Sequence, residues 1–254
     1  MDHPAIPNEW LICHFAPVTL FSLRSTYATS KGGKTLLVPT PYAVKMALID
    51  ACFRAFSAKD AEKSARKIFD SVKGQAVRIK PPEECVVQKT FLRVLQPARD
   101  AEEGVIGSGS FARTIAYREF VFFRGEMEIA IGVDLSVFSD IQFLLSHVNY
   151  FGKRGSHWQF LSCRKFSGNL PFGFSLVANE ITQYPLDLVG RYRVTEYLDD
   201  FGPKLCAAKD GFERISTYHA ADIKLGEHRI LQSTLLPYER RTSGRHFTHY
   251  RRAV

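Results

Sequence analysis

The order of helical and strand-like segments over the first 165 residues limits the folds that this chain can adopt. A strand-like run from Trp10 to Leu23, interrupted near Pro17, precedes two helical segments and two strand-like runs around a polar excursion. A further strand, a helix and a last strand follow. This order is close to the βαββαβ pattern of ferredoxin-like domains. We therefore predict an α+β fold with a ferredoxin-like domain over residues 1–165.

Capping residues indicate where the first two helices begin. Thr40 can accept a backbone N–H at the start of "PYAVKMALIDACFRAF", and Pro41 suits the first helical position because its missing N–H costs nothing there. Ser57 and Asp60 have the spacing of a capping box. They predict a second helix over residues 59–72.

The third helix is predicted from a cap on one side and a glycine on the other. Asp134 or Ser136 can cap its start, and apolar residues recur at helical spacing as far as Val148. Gly152 is the expected C-terminal stop. The basic turn after this helix then leads into the last strand of the predicted domain.

A polar, glycine-containing excursion separates two strand-like runs near the middle of the chain. Residues 85–96 and 111–123 have strand character on either side of "PARDAEEGVIGSGS". This pattern favours a protruding, thumb-like hairpin over about residues 95–120, carrying Arg99 and Arg113. A surface loop without regular structure is the alternative.

Short strands broken by glycine and proline fill the remainder of the chain. We interpret residues 166–254 as an irregular β-rich extension or a second small β domain. The tail over 237–254 contains five arginines against one acidic residue, Glu239. It is predicted to be mobile or to be ordered by a partner.

Charge and cysteine usage narrow the classes of partner and compartment. The formal net charge is +8 and the pI is near 9.3, which favours a polyanionic partner such as nucleic acid, an anionic membrane surface or an acidic protein. Five single cysteines at no zinc-binding spacing suit a reducing cytoplasm and argue against structural zinc. We expect no metal and no cofactor. We expect neither a signal peptide nor a membrane span, because no apolar run reaches about 18 residues.

The segment "VNYFGKRGSHWQF" is the first candidate anion site. Glycines flank Lys153 and Arg154, so the backbone can approach a phosphate while both side chains supply charge. Ser156 and His157 follow directly. An ordinary helix C-terminus with exposed basic residues is the alternative interpretation.

A second basic stretch surrounds the start of the first helix. Its loop lacks the complete pattern of a nucleotide-binding P-loop, so an ATPase is disfavoured. A helix N-terminus with nearby lysines is nevertheless a reasonable anion site. We predict that these groups converge with Lys153 and Arg154 on one edge of the sheet. The candidate RNA-contacting residues in this stretch are Arg24, Lys31, Lys34, Tyr42 and Lys45.

Two segments together resemble a known family. "LVPTPYAVKMALIDA" and "VNYFGKRGSHWQF" resemble the CRISPR-associated RAMP proteins, and most closely the fifth-numbered Cas family, over about residues 10–165. The resemblance implies an RRM-like domain, a β-hairpin thumb and RNA binding without turnover. It identifies the chain as a candidate non-catalytic subunit that holds the 5′ handle of the guide RNA in a type I Cascade complex.

The same resemblance implies partners and an alternative activity. The partners would be the guide RNA, the backbone RAMP subunits whose filament the chain caps, the large subunit and, as a further candidate, target DNA, all in a prokaryotic cytoplasm. In one branch of the family the corresponding protein cleaves precursor RNA through a Tyr, Lys and His set. Tyr42, Lys45 and His157 are a conceivable equivalent, so a metal-independent endoribonuclease is the alternative function. A third hypothesis is an α+β protein that binds an acidic partner.

Overall fold

The computed structural model describes residues 7–26, 33–97, 111–216 and 218–253. The strands are β1 (Glu9–Pro17), β2 (Leu23–Arg24), β3 (Thr35–Leu36), β4 (Val77–Lys80), β5 (Glu84–Pro97), β6 (Phe111–Arg124), β7 (Met127–Gly132), β8 (Trp158–Ser167), β9 (Leu176–Val177), β10 (Val194–Phe201), β11 (Arg229–Leu236), β12 (Tyr238–Ser243) and β13 (Phe247–Arg252). The helices are α1 (Pro41–Ala55), α2 (Ala58–Val72), α3 (Phe138–Leu145), α4 (Leu186–Val189), α5 (Pro203–Ala207) and α6 (Gly211–Arg214). The prediction of a fold that mixes helices and strands is confirmed.

A four-stranded sheet in the order β4-β7-β1-β8 forms the centre of the fold, and every neighbouring pair is antiparallel. β1 lies inside this sheet and has both faces buried. Leu11, Cys13 and Phe15 pack into the main core with α1, α2 and α3, whereas Trp10 and Ile12 pack on the opposite face. Because alternate residues of a strand point to opposite faces, this sheet separates two apolar layers. The predicted irregularity is present, since the β1–β8 register shifts after His14 and β1 ends at Pro17.

The predicted cap of α1 is confirmed, and that of α2 is not. The Thr40 hydroxyl oxygen accepts the N–H of Ala43 at 3.1 Å, and Pro41 occupies the first turn. Ser57 precedes α2, but its hydroxyl donates to the Asp60 carboxylate at 2.7 Å and makes no bond to the backbone. The two side chains therefore satisfy each other, and no capping box forms.

The third helix is shorter than predicted. α3 ends at Leu145, and Gly152 lies in the following loop with φ +67°. Val148 is still buried beyond the end of the helix. Its apolar side chain extended the helical pattern in the sequence, although it reaches the core from a loop.

The predicted hairpin is present along its paired length. β5 and β6 pair antiparallel from Glu84 opposite Arg124 to Pro97 opposite Phe111. Residues 98–110, which include Arg99, lie outside the described part of the chain. Arg113 lies exposed on β6.

The C-terminal strands are built onto the hairpin and share the main core. β13 pairs with β5, which gives a second four-stranded sheet in the order β12-β13-β5-β6. The prediction of a mobile or partner-ordered tail was wrong, because its residues form β12 and β13. The predicted boundary after residue 165 falls within β8, and Phe201, Leu236 and Tyr238 belong to the same core as α1. Within the described ranges, no helix combines the length and apolarity needed to cross a membrane.

Candidate nucleic-acid interface

The basic turn, residues 152–155, presents two exposed cations on a closed loop. The N–H of Lys153 donates to the carbonyl oxygen of Phe151 at 2.8 Å, and Tyr150 forms an isolated β-bridge with His157. The side chains of Lys153 and Arg154 are exposed. Neither forms an ion pair with any other described residue. Both charges are therefore available to an anion.

Aromatic side chains hold the base of this turn in the core. The ring of Phe151 meets that of Phe15 edge to face at 5.1 Å, and the ring of Trp158 lies 4.9 Å from that of Phe21. Phe151 and Trp158 flank the turn and are both almost completely buried. A loop fixed at both ends loses little conformational freedom on binding, which favours the use of its charges in recognition.

The basic turn packs against β2 and the first turn of α1. A Cβ placed on Gly152 would lie 3.9 Å from Cδ2 of Leu23 and 3.8 Å from Cβ of Ala43. The Ser156 hydroxyl donates to the carbonyl oxygen of Ser22 at 3.4 Å. The turn therefore lies beside the segment that carries Arg24, as the sequence predicted.

The β2–β3 pair connects this surface to the long hairpin. Arg24 lies opposite Thr35, whose backbone N–H donates to the Glu119 carboxylate on β6 at 3.2 Å. The N–H of Glu119 in turn donates to the carbonyl oxygen of Gly33 at 2.9 Å. Lys34 is exposed between these two contacts. Arg24 on β2 and Lys34, just before β3, are thus held near the base of the hairpin.

A cleft continues the positive surface between β3, β10 and the sheet β12-β13-β5-β6. This hairpin cleft has a volume of about 370 Å³ and is lined by Lys34, Lys89 and Arg240, with Glu119 and Glu196 as its carboxyl groups. Together with the turn it forms a chain of cations on neighbouring segments. We define the basic track as Lys153, Arg154, Arg24, Lys34, Lys89 and Arg240.

The Glu196 carboxyl group has two unlike oxygens. Oε1 accepts the N–H of Leu37 at 2.9 Å, whereas Oε2 is buried and has no hydrogen-bond partner among the described residues. Burial raises the pKa of Glu196 to about 8, against the opposing effect of the backbone bonds from Leu37 and Val38. The group is therefore neutral near pH 7, and the hairpin cleft keeps its positive balance.

This raised pKa predicts that Glu196 contributes to the pH dependence of stability. The folded state keeps the Glu196 proton up to about pH 8, whereas a carboxyl of ordinary pKa 4.5 releases it in the unfolded chain. The free energy of unfolding should therefore fall by about 1 kcal/mol per pH unit as pH rises between these values. Glu196→Gln should remove that slope and be the more stable protein at pH 8, measured by urea denaturation at several pH values. Glu119→Gln is the matched control and should keep the slope; an unchanged slope in Glu196→Gln would contradict the assignment.

Two predicted contact residues are buried, which corrects their assignment. Lys45 is 1% exposed, and its ammonium lies 2.7 Å from Oδ1 of Asp200 on β10. Ser156 is 2% exposed and anchors the basic turn on Ser22. Their polar groups therefore act inside the fold and do not reach a ligand at the surface.

Tyr42 is half-buried beneath an arginine. Its ring meets that of Phe201 edge to face at 5.1 Å, and the guanidinium of Arg229 lies 4.3 Å from the ring centroid. Burial raises the pKa of the Tyr42 phenol. His157 is exposed beside the basic turn, and Lys31 lies outside the described residues. The structure brings Arg24, Lys34, Lys153 and Arg154 onto neighbouring segments. The buried Lys45 ammonium, in contrast, is not available to act together with Tyr42 and His157.

Sequence reasoning did not identify Lys89, Arg240 or Glu196 as part of the site. Lys89 and Arg240 meet because β13 pairs with β5, which joins positions about 160 residues apart, and Glu196 reaches the same cleft from β10. The basic composition of the tail was the one available signal for Arg240. Among the described residues, no group of three or more His, Cys, Asp or Glu side chains could hold a metal ion.

The sequence is similar to a curated protein of the predicted family. No model of a known protein family matches the chain. The chain is 28% identical over 128 residues to the CRISPR-associated protein Cas5 of Archaeoglobus fulgidus, a match that covers 50% of this chain and 52% of the relative. The matched region thus spans about half the length of the curated relative. This similarity confirms the resemblance predicted from the two sequence segments.

Solved structures of CRISPR proteins align over most of the chain at low sequence identity. A CRISPR protein from Archaeoglobus fulgidus aligns over 97% of this chain and 92% of its own, with 10% identity and a TM-score of 0.47. A chain of a CRISPR RNA-guided surveillance complex aligns over 96% of this chain and 90% of its own, with 11% identity and a TM-score of 0.35.

Proposed function

We propose that the chain is an RNA-binding subunit of a type I CRISPR surveillance complex and that the basic track holds the 5′ handle of the guide RNA. The observation that carries this proposal is that the basic turn adjoins β2, which pairs with β3 beside the hairpin cleft, so cations from distant parts of the sequence lie on neighbouring segments. The similarity to a curated Cas5 protein supports the choice of RNA over other polyanions.

We assign the central sheet to the ferredoxin-like class and the β5–β6 hairpin to the thumb. The strand order β4-β7-β1-β8 is antiparallel throughout, with helices following β1 and β7 in the chain. That connectivity is the split βαβ arrangement. The hairpin projects from between the second and third strands of this unit and begins where the track enters the hairpin cleft.

The chemistry of the basic track suits a single-stranded RNA backbone. Lysine and arginine side chains contact phosphates and supply affinity that does not depend on sequence. Phe91, which is 66% exposed, and Tyr117 form an edge-to-face pair across the hairpin at 5.5 Å. Bases stack readily on such rings, so the hairpin can hold nucleotides that leave the track.

The exposed apolar side chains of the hairpin suit contacts with other subunits. Leu95, Phe111 and Ile115 are each more than 60% exposed. Exposed apolar groups that lie close together mark interaction sites. We propose that they contact the adjacent backbone RAMP subunit or the large subunit in the prokaryotic cytoplasm, where the chain caps the filament; target DNA is a further candidate partner.

We propose that the chain holds RNA without cleaving it. Acid–base cleavage by the Tyr42, Lys45 and His157 set would need an accessible ammonium, and that of Lys45 is enclosed by Asp200 and the carbonyl oxygen of Lys73. The raised pKa of the Tyr42 phenol further lowers the fraction of phenolate that could act as a general base at neutral pH.

Incubation with repeat-derived RNA in EDTA tests both parts of this proposal. We expect the protein to retain the intact RNA and to bind it more tightly than a shuffled RNA of equal length. A discrete cleavage product that is lost in Tyr42→Phe or His157→Ala would instead establish the endoribonuclease. Equal affinity for both RNAs would contradict recognition of the handle.

A further inference from the structure

The C-terminal hairpin, β12 and β13, has positive charge on both of its faces. Arg240 lies opposite Tyr250, and both line the hairpin cleft. Glu239 lies opposite Arg251, and both line a different cleft of about 300 Å³. Successive residues of a strand point to opposite faces, so Glu239 and Arg240 reach different clefts, and the two clefts share no lining residue.

Arginine dominates the second cleft, which we call the arginine cleft. Residues 191 and 193, from the turn before β10, join the C-terminal hairpin there. Glu239 is the one carboxylate among its lining residues. The arginines that line it are Arg191, Arg193, Arg241, Arg251 and Arg252.

The carboxylates around this cleft do not balance its guanidiniums. Glu239 is shared by Arg241 at 2.7 Å and Arg193 at 3.4 Å, and Glu83 pairs with Arg251 at 3.0 Å. Five cations therefore face two carboxylates, and arginine cannot lose its proton to relieve the repulsion. An anion in the cleft would offset this excess of positive charge.

We propose that the arginine cleft binds the phosphodiester backbone of a second nucleic-acid strand, separate from the RNA in the basic track. Every cation lining it is an arginine, whose planar fork of N–H donors matches phosphate oxygens in a bidentate way. The guanidinium of Arg191 also lies 5.4 Å from the centroid of the Phe172 ring, a planar pair beside which a base can stack. Because the two clefts share no lining residue, they would hold the two strands at separate sites.

Oligonucleotide binding by variants of the cleft tests this proposal. The measurement uses fluorescent (dT)15 and (rU)15 and a poly-glutamate peptide, at several salt concentrations, in a background where Lys153→Gln and Arg154→Gln weaken the basic track. Arg191→Gln with Arg193→Gln should lower affinity for at least one oligonucleotide about tenfold and reduce the slope of log affinity against log salt by about 1.4. Both arginines are exposed. The fold should therefore tolerate the change, and circular dichroism checks this.

The matched control removes the same charge from a distant helix. Lys59→Gln with Lys63→Gln changes two exposed lysines on α2 and should leave affinity and salt slope unchanged. Loss confined to DNA or to RNA identifies the strand and supports the proposal in either case. Equal affinities of the cleft and control variants would overturn it, and so would a loss confined to the peptide, which would assign the cleft to an acidic protein.

Discussion

Reversing both charges of the basic turn, with Lys153→Glu and Arg154→Glu, should weaken binding of repeat-derived RNA about 100-fold at 150 mM salt. Both side chains are exposed, and the turn is anchored by Phe151 and Trp158 instead of by its charged residues. The fold should therefore survive the change, and the loss should come from weaker binding of phosphates. The salt dependence of the remaining affinity should be shallower than that of the unchanged protein, as measured by fluorescence anisotropy.

A variant with the same net charge separates contact from long-range attraction. Lys59→Glu with Lys63→Glu reverses two exposed charges on α2, away from the basic track. Long-range attraction depends on total charge and is screened beyond about 10 Å at moderate salt, so this variant should lose no more than a few-fold in affinity. Equal losses in the two variants would show that the basic turn makes no direct contact with RNA.

Replacing Lys45 with methionine should cost about 3–5 kcal/mol of unfolding free energy, the largest stability change that we expect from one residue. The ammonium is buried against Asp200 and also donates to the carbonyl oxygen of Lys73 at 3.3 Å, so α1 loses its polar link to β10. Burial already raises the pKa of Asp200 more than Lys45 lowers it. Without Lys45 the carboxylate would take up a proton more readily, so the deficit should shrink at acidic pH. Urea denaturation at pH 5 and pH 8 measures both effects.

The double variant Lys45→Met with Asp200→Leu identifies the origin of that loss. Removing both partners of a buried pair leaves no charge without a counterion, and such replacements are often close to neutral. We expect the double variant to recover most of the stability lost by Lys45→Met. A double variant as unstable as the single one would show that packing around Phe201, and not the unpaired carboxylate, is the cause.

Local sequence signals predicted the elements that depend on neighbouring residues. Thr40 and Pro41 marked the start of α1 because capping uses residues three positions apart. The hairpin followed from strand character on both sides of a polar segment. The predicted end of α3 was too late because Val148 continues the apolar pattern of the helix. Val148 is buried, but it lies in the loop after α3. The sequence did not predict that β12 and β13 extend the sheet of the hairpin. Their pairing with β5 joins distant parts of the chain, and no pattern of neighbouring residues indicates it.

Some residues of the candidate site were predictable from local sequence, and others were not. Exposed glycine-flanked cations are recognisable from sequence, and Lys153 and Arg154 lie where the pattern indicated. Lys45 was wrongly assigned as an RNA contact because its partner Asp200 is 155 residues away, and no residue near Lys45 in the sequence indicates the ion pair. Only the fold brings Lys89 and Arg240 together with Lys34, so no reading of separate segments could have identified the hairpin cleft.

Cross-linking of repeat-derived RNA tests the central claim most directly. Substituting 4-thiouridine along the RNA, irradiating the complex and mapping the linked peptides by mass spectrometry identifies which segments the RNA contacts. We predict links to the peptides that carry Arg24, Lys34, Lys153–Arg154 and Arg240, in an order that follows the basic track. Links found only on other surfaces, such as α2, with none on these four peptides, would contradict the account.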